Sequence, residues 1–269
     1  MSNDRTITSG QDLLRHRYLL WNFVRSDLKQ RYVGSSIGLF WSVINPLLLI
    51  GLYTFVFSIV LGVNIGGNAG IKHYGVFLFS GMLPWLAFNE AVQKSSTVFL
   101  EQRDLVKQVN FPNILLPLYV VVSSFIHELI ALAIFAVILL VIKQPPSLTI
   151  LGLATIFPLQ LLMTFGFALI VSSINVFFRD TSQIANAVLL IWFFATPIVY
   201  PIEAVPLSMR SYFYINPLTP LIDVYRALIF GGPLHTYVGF IYFSVFTFIV
   251  FLTGVQFFRR LSPEFADML

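Results

Sequence analysis

Long apolar runs dominate the chain, and polar residues gather at the joints between them. A transmembrane helix needs about 20 mostly apolar residues to cross about 30 Å of hydrocarbon. Six runs reach that length, near 38–62, 74–92, 113–142, 148–175, 183–201 and 236–258. Barrel strands alternate apolar and polar positions over about 10 residues, and these runs do not. The pattern predicts an all-α membrane protein with six transmembrane helices in a single domain over 1–269. Lys143-Gln144-Pro145-Pro146-Ser147 makes a tight polar turn between the third and fourth spans.

Three segments between or before the spans carry patterns of their own. Over 11–33, Leu14, Trp21, Val24, Leu28 and Tyr32 form a stripe at helical spacing, with Arg15, Asp27 and Lys29 off it. Arg17 and Arg25 interrupt the stripe, but long arginine stems snorkel, so an amphipathic helix at the membrane interface is expected. The 93–112 segment holds Lys94, Glu101, Arg103, Asp104 and Lys107, the densest mixed-charge run, with Val98, Leu105, Val109 and Phe111 interspersed and Pro112 at its end. It reads equally as a docking loop for a protein partner or as a solvated connector. The 202–235 segment is apolar but broken by Pro206, Pro217, Pro220 and Pro233, and it contains Arg210, Asp223 and Arg226. Two short helices dipping back into the membrane between spans five and six fit it. Irregular backbone at that depth belongs inside protein or against a watery cavity.

Composition sharpens this picture. The 269 residues are 57% hydrophobic and only 10% charged, against about 25% charged in an ordinary soluble domain. A soluble enzyme and a disordered chain are both excluded. Cysteine is absent, so no disulfide, thiolate metal site or cysteine nucleophile is available. Residues 1–37 lack the apolar core of a signal peptide. With the amino terminus in the cytoplasm, Arg5, Arg15, Arg17, Arg25, Lys29, Arg31, Lys94, Arg103, Lys107, Arg179, Arg259 and Arg260 fall inside. Only Lys72, Lys143, Arg210 and Arg226 fall outside. This asymmetry puts both termini in the cytoplasm. The net charge of +4 thus reports topology and not nucleic-acid binding.

Candidate chemistry is sparse. There is no phosphate-binding P-loop, no H-E-x-x-H metal motif and no G-x-S-x-G nucleophile elbow. His127 and Glu128 sit in the middle of the third span, where ionisable groups are costly and point to function. Structural bonding and an ion or substrate role both remain open for them. Gly34-Ser35-Ser36-Ile37-Gly38 spaces small residues for close helix packing or for a flexible joint. Aromatic residues reach 16%, with 28 Phe. Singly they serve as membrane anchors or core. Collectively they suit a polymer that slides over stacking rings, by analogy with the platforms that bind single-stranded nucleic acids. Trp41, Tyr53, Phe57, Phe193, Phe194 and Tyr200 are the candidates for such a path.

Several stretches, taken in order, resemble a known family. They are Ser26-Asp27-Leu28-Lys29-Gln30-Arg31-Tyr32-Val33-Gly34-Ser35-Ser36-Ile37-Gly38-Leu39-Phe40-Trp41 with Asn45-Pro46-Leu47, then Ser80-Gly81-Met82-Leu83-Pro84-Trp85. Asn110-Phe111-Pro112 with Leu116-Pro117-Leu118 comes next, then Asn175-Val176-Phe177-Phe178-Arg179-Asp180. Last come Thr196-Pro197-Ile198-Val199-Tyr200-Pro201 and Ile215-Asn216-Pro217-Leu218. Together they resemble the membrane subunits of ABC transporters that export polysaccharides such as O-antigen, capsule and teichoic acid. The resemblance implies a transport subunit without enzymatic activity, working in the inner membrane as a homodimer with two separate ATP-hydrolysing subunits that bind ATP and magnesium. It implies an undecaprenyl-pyrophosphate-type lipid-linked glycan as cargo, with Arg25, Lys29 and Arg31 placed for its head group. It also implies ATPase coupling through Glu101, Arg103, Asp104, Leu105, Lys107, Asn110, Phe111 and Pro112, and an outer gate holding Arg210, Asp223 and Arg226. Three alternatives are a drug-efflux permease of the same superfamily, an integral membrane transferase and a passive channel. The transferase predicts clustered His, Asp or Glu at one membrane face, which the sequence does not show.

Overall fold

The computed structural model describes residues 16–30, 44, 48, 51–60, 62, 74–108, 111–232 and 237–269, with backbone alone at 57, 58 and 237. Among the described residues the chain is helical throughout, without a strand. The main helices are α1 (Arg17–Gln30), α2 (Tyr74–Glu101), the short α3 (Arg103–Val106), α4 (Leu115–Val141) and α5 (Leu153–Phe177). They continue with α6 (Thr181–Phe194), α7 (Leu207–Ile215), α8 (Leu218–Phe230), α9 (Tyr237–Leu261) and the terminal turn α10 (Phe265–Met268). A π-helical stretch covers Thr54–Val60. Among the described residues four helical stretches are long and apolar enough to cross a membrane: Tyr74–Glu101, Leu115–Val141, Leu148–Phe177 and Val238–Met268.

The local stops are chemical. α4 ends where Lys143 takes a left-handed conformation (φ 58°). The amides of Lys143 and Gln144 then bond back to the carbonyls of Leu140 and Leu139 at 3.1 and 2.9 Å. This is a Schellman closure, and Pro145-Pro146 cannot continue the helix. α2 is the central and most enclosed helix despite Pro84 in its interior. Such a proline is tolerated in a membrane helix because neighbours satisfy the freed backbone groups. α9 packs most extensively on α5, and their crossing is built on two glycines. A Cβ on Gly166 would lie 2.7 Å from the Val250 carbonyl oxygen, and one on Gly254 would lie 3.0 Å from the Gly166 Cα. Only residues without side chains let these backbones meet.

Two apolar clusters fill the bundle. One is built around Phe79, Trp85, Phe135, Met163, Tyr225 and Phe243. The other lies near α1 and the carboxyl terminus, around Val24, Phe99, Phe111, Phe165, Phe258 and Phe265.

Where they are described, the spans follow the hydropathy pattern with two differences. About half of the run near 38–62 lies outside the described residues. α2 does not stop at 92 but stays helical to Glu101, because Ser95, Ser96, Val98 and Phe99 bury their side chains; the charged connector therefore begins later than its composition suggests. The run near 183–201 forms only the 14-residue α6, followed by turns. At 1.5 Å per residue α6 is about 21 Å long. The amphipathic helix is present over Arg17–Gln30, and Val24 and Leu28 of the expected stripe are on its buried side, but the buried face is rotated away from Trp21. Trp21 is 57% exposed, while Leu20, Phe23, Val24 and Leu28 pack inward. The ring of Phe23 stacks on Tyr119 at 5.3 Å and meets Phe111 edge-on at 6.2 Å. Asp27, expected off the apolar stripe, turns inward too. It accepts a hydrogen bond from Ser123 and lies 3.4 Å from the Lys94 ammonium.

Candidate functional site: an aromatic and amide groove

The groove grows from helical spacing. Trp85, Asn89 and Gln93 stand four residues apart on α2, so they rise along one face. Met82 and Leu86 flank them. Asn186, Leu189, Leu190 and Phe193 of α6 line the groove with them, as does Tyr53. The groove is open to one side, with a volume of about 390 Å³. Trp85 and Phe193 meet at 5.5 Å between ring centres. Gln93 Nε2 donates to Asn89 Oδ1 at 3.2 Å. Among the described residues, every polar group lining this groove is a neutral amide, phenol or indole. Such a surface has ring edges and amides for hydrogen bonds, and among the described lining residues no charge to trap a ligand.

The predicted path residues divide. Tyr53 and Phe193 line the groove together. Phe194 is 53% exposed and packs edge-on against Phe193 at 5.1 Å. Tyr200 stands elsewhere, with its hydroxyl donating to the Phe194 carbonyl and its ring edge-on to Phe213 at 6.2 Å. Trp41 and the Phe57 side chain lie outside the described residues. Sequence reasoning missed Trp85, Asn89, Gln93 and Asn186 as lining residues. The available signal was the four-residue ladder of polar and aromatic positions within an apolar run.

Two of the outer-gate candidates, Arg210 and Arg226, bond backbone carbonyls. Arg226 donates to the carbonyls of Pro197 and Ile198, both at 2.9 Å, and its guanidinium lies over the Phe77 ring at 3.7 Å. Gly81 makes room for it, since a Cβ there would meet Arg226 Nη2 at 2.8 Å. Arg210 donates to the carbonyls of Val205 and Glu203 at 2.9 and 2.7 Å. Asp223 is half-buried on α8. Asn216 joins α6 to the α7–α8 corner. Its Oδ1 accepts from Trp192 Nε1 and the Leu218 amide at 2.8 and 3.0 Å. Its Nδ2 donates to Ala195 O and Thr196 Oγ1 at 3.1 and 2.8 Å. From that corner α8 runs to the α4–α5 turn, where Ser147 N and Thr149 Oγ1 bond its last carbonyls, Ile229 and Leu228, at 2.9 and 2.7 Å.

At the other end, Arg25 and Lys29 are exposed on α1, and Arg31 lies outside the described residues. Glu101, Arg103, Asp104 and Lys107 are exposed along and around α3, while Leu105 is half-buried. Phe111 and Pro112 are buried anchors, and Asn110 lies outside the described residues. The connector thus presents charge outward from an apolar footing. His127 Nδ1 lies 3.5 Å from Glu90 Oε2, and Glu90 Oε1 lies 3.1 Å from Lys94 Nζ.

Residues 18–230 match the family model described as ABC-2 type transporter. An O-antigen export system permease protein of Klebsiella pneumoniae is 33% identical over 253 residues, covering 93% of this chain and 95% of that one. One from Myxococcus xanthus is 30% identical over 261 residues, 96% and 98% of the two chains. A polysialic acid transport protein of Escherichia coli is 20% identical over 241 residues, 87% and 89% of the two. With a family match over most of its length and relatives matched nearly end to end, the chain belongs to the ABC-2 family of transporter membrane subunits.

Proposed function

We propose that this chain is the transmembrane subunit of an ATP-driven exporter that carries a lipid-linked polysaccharide out of the cytoplasm. The observation that carries the reading is the groove of Tyr53, Trp85 and Phe193 with the amides of Asn89, Gln93 and Asn186. Sugars present C–H faces to rings and hydroxyls to amides, and a surface without charge holds no polymer segment fast. The two O-antigen permeases and the polysialic acid transporter support the same cargo class.

The remaining parts of the machine follow. The chain crosses the inner membrane six times with both termini in the cytoplasm, and two copies enclose the route. α6 supports that pairing, because Ile184, Ile191 and Phe194 are exposed on the protomer. α6 is too short to cross alone; α8 starts beside its end and reaches the α4–α5 turn, so α7 and α8 complete the crossing as re-entrant gate helices. The charged surface of 101–112 docks on a separate ATPase that binds ATP and magnesium. Arg25, Lys29 and Arg31 draw the pyrophosphate head group toward α1, as cationic groups at that leaflet attract anions.

The test is reconstitution of the chain with its ATPase in proteoliposomes. Lipid-linked glycan should stimulate ATP hydrolysis and appear inside inverted vesicles, and Trp85→Ala should reduce both. Stimulation by small apolar drugs, with no response to glycan, refutes the polysaccharide reading in favour of an efflux permease.

A further inference from the structure

Glu128, midway along α4 and only 4% exposed, lies where four helices meet. Its Oε2 accepts from Gln160 Nε2 of α5 at 3.0 Å, and its Oε1 lies 2.8 Å from the Tyr225 hydroxyl of α8. That hydroxyl also contacts Gln160 Oε1, and Gln160 Nε2 reaches the Pro84 carbonyl of α2 at 3.3 Å. Among the described residues no cation is paired with this carboxyl. His127 faces Glu90, Lys94 faces Asp27 and Glu90, and Arg226 faces the carbonyls of Pro197 and Ile198.

The protons can be counted. A backbone carbonyl only accepts, so the Gln160 nitrogen must be the atom facing Pro84, and Gln160 Oε1 must be the atom facing Tyr225. A tyrosine hydroxyl has one proton to give. The amide oxygen can take that proton but cannot offer one. The carboxyl oxygen on the other side of the hydroxyl must then donate. We propose that Glu128 is held as the un-ionised acid, donating to Tyr225, which donates to Gln160, which donates back to Glu128. Every polar atom in the ring is then satisfied, and the bond to Pro84 adds α2. An ionised Glu128 would leave two acceptors facing one proton in a buried site without a counter-charge, which is costly. The ring is a latch that sets the depth of α8 against α2, α4 and α5, and Glu128 is a positioning residue, not a proton carrier.

The conservative variant separates these roles. In Glu128→Gln the new amide nitrogen can donate to Tyr225 and the new oxygen can accept from Gln160, so the ring stays closed with no acidic proton. The natural chain has no cysteine, so a single Ala227→Cys on α8 reports by thiol labelling how well the helix is seated. In the intact transporter with its ATPase, labelling in Glu128→Gln should match the parent. In Glu128→Ala and in Tyr225→Phe it should rise about tenfold, in keeping with the loss of one or two buried bonds. Infrared difference spectra of parent against Glu128→Gln at neutral pH should show the carbonyl band of an un-ionised carboxylic acid. Export driven by ATP should persist in Glu128→Gln. Absence of that band, labelling of Glu128→Gln as fast as Glu128→Ala, unchanged labelling in Tyr225→Phe, or lost export in a correctly seated Glu128→Gln each overturns the proposal. The labelling and infrared readouts need no glycan, so they stand or fall apart from the identity of the cargo.

Discussion

Two pairs of side-chain amides lie among the spans and do opposite things. Asn216 is saturated, with four hydrogen bonds, and Gln160 is one short of that, donating to Glu128 and Pro84 and accepting from Tyr225. Among the described residues Asn89 and Gln93 share one bond with each other, and both line the groove. A side-chain amide has two donors and can accept at its oxygen twice. Where that capacity is consumed inside the protein, the residue holds helices together. Where it is left open on a cavity beside aromatic rings, it is available to a ligand. Residue type alone separates neither pair from the other; the count of bonds does.

The closed side breaks hardest at its tightest contact. Gly166→Ala puts a methyl group 2.7 Å from the Val250 carbonyl oxygen, and backbone has no rotamer with which to yield. The expected loss is about 3 kcal/mol. Membrane abundance of the variant and its thermal unfolding in detergent, with Gly254→Ala giving a similar loss, are the measurements. A Gly166→Ala protein as stable as the parent would show that α5 and α9 cross more loosely than this geometry requires. Asn216→Ala comes next. It strands the Trp192 indole N–H and the Leu218 amide and takes the donor from the Ala195 carbonyl and the Thr196 hydroxyl, for a loss of about 2 kcal/mol, read in the same unfolding assay.

These contacts also explain what the sequence disclosed and what it concealed. α4, α5 and α9 were legible because length and continuous hydropathy suffice for a span, and because Lys143-Gln144-Pro145-Pro146 punctuates the chain locally. The end of α6 was not legible. Phe193 to Val199 stays apolar apart from Thr196, and the turn there is held by Asn216 and by Arg226, the latter 28 and 29 residues from the carbonyls it binds. The buried face of α1 was misjudged at Trp21 for the same reason. Asp27 is drawn inward by Lys94 and Ser123, 67 and 96 residues away. Within the groove, an excess of rings pointed to Tyr53 and Phe193, whereas single amides in an apolar run carry no mark of which way they face.

The open side should respond in function and not in stability. Asn89→Ala combined with Gln93→Ala removes one internal bond and the amide face of the groove. Unfolding should shift by no more than about 0.5 kcal/mol. Glycan-stimulated ATP hydrolysis should fall about tenfold, the effect of one or two hydrogen bonds to a sugar. If the double variant unfolds as easily as Asn216→Ala, the groove amides belong with the structural pair and the contrast fails.

The smallest effect is expected where the same logic meets water. Lys94 stands between Asp27 of α1 and Glu90 of α2, at 3.4 and 3.1 Å, with a side chain 38% exposed. Solvent reaches this cluster, so the two ion pairs are screened in a way that the Glu128 ring is not. Asp27 also keeps its bond from Ser123 when Lys94 is removed. Lys94→Met should therefore cost less than about 1 kcal/mol. The loss should appear in the unfolding temperature at low ionic strength and shrink as salt is raised. The apolar seat of α1, with Phe23 on Tyr119 and Val24 buried, persists under either condition. A large, salt-independent loss in Lys94→Met would place this cluster among the saturated, water-free contacts. The line between holding groups and available groups would then have to be drawn by depth in the bundle and not by bond count.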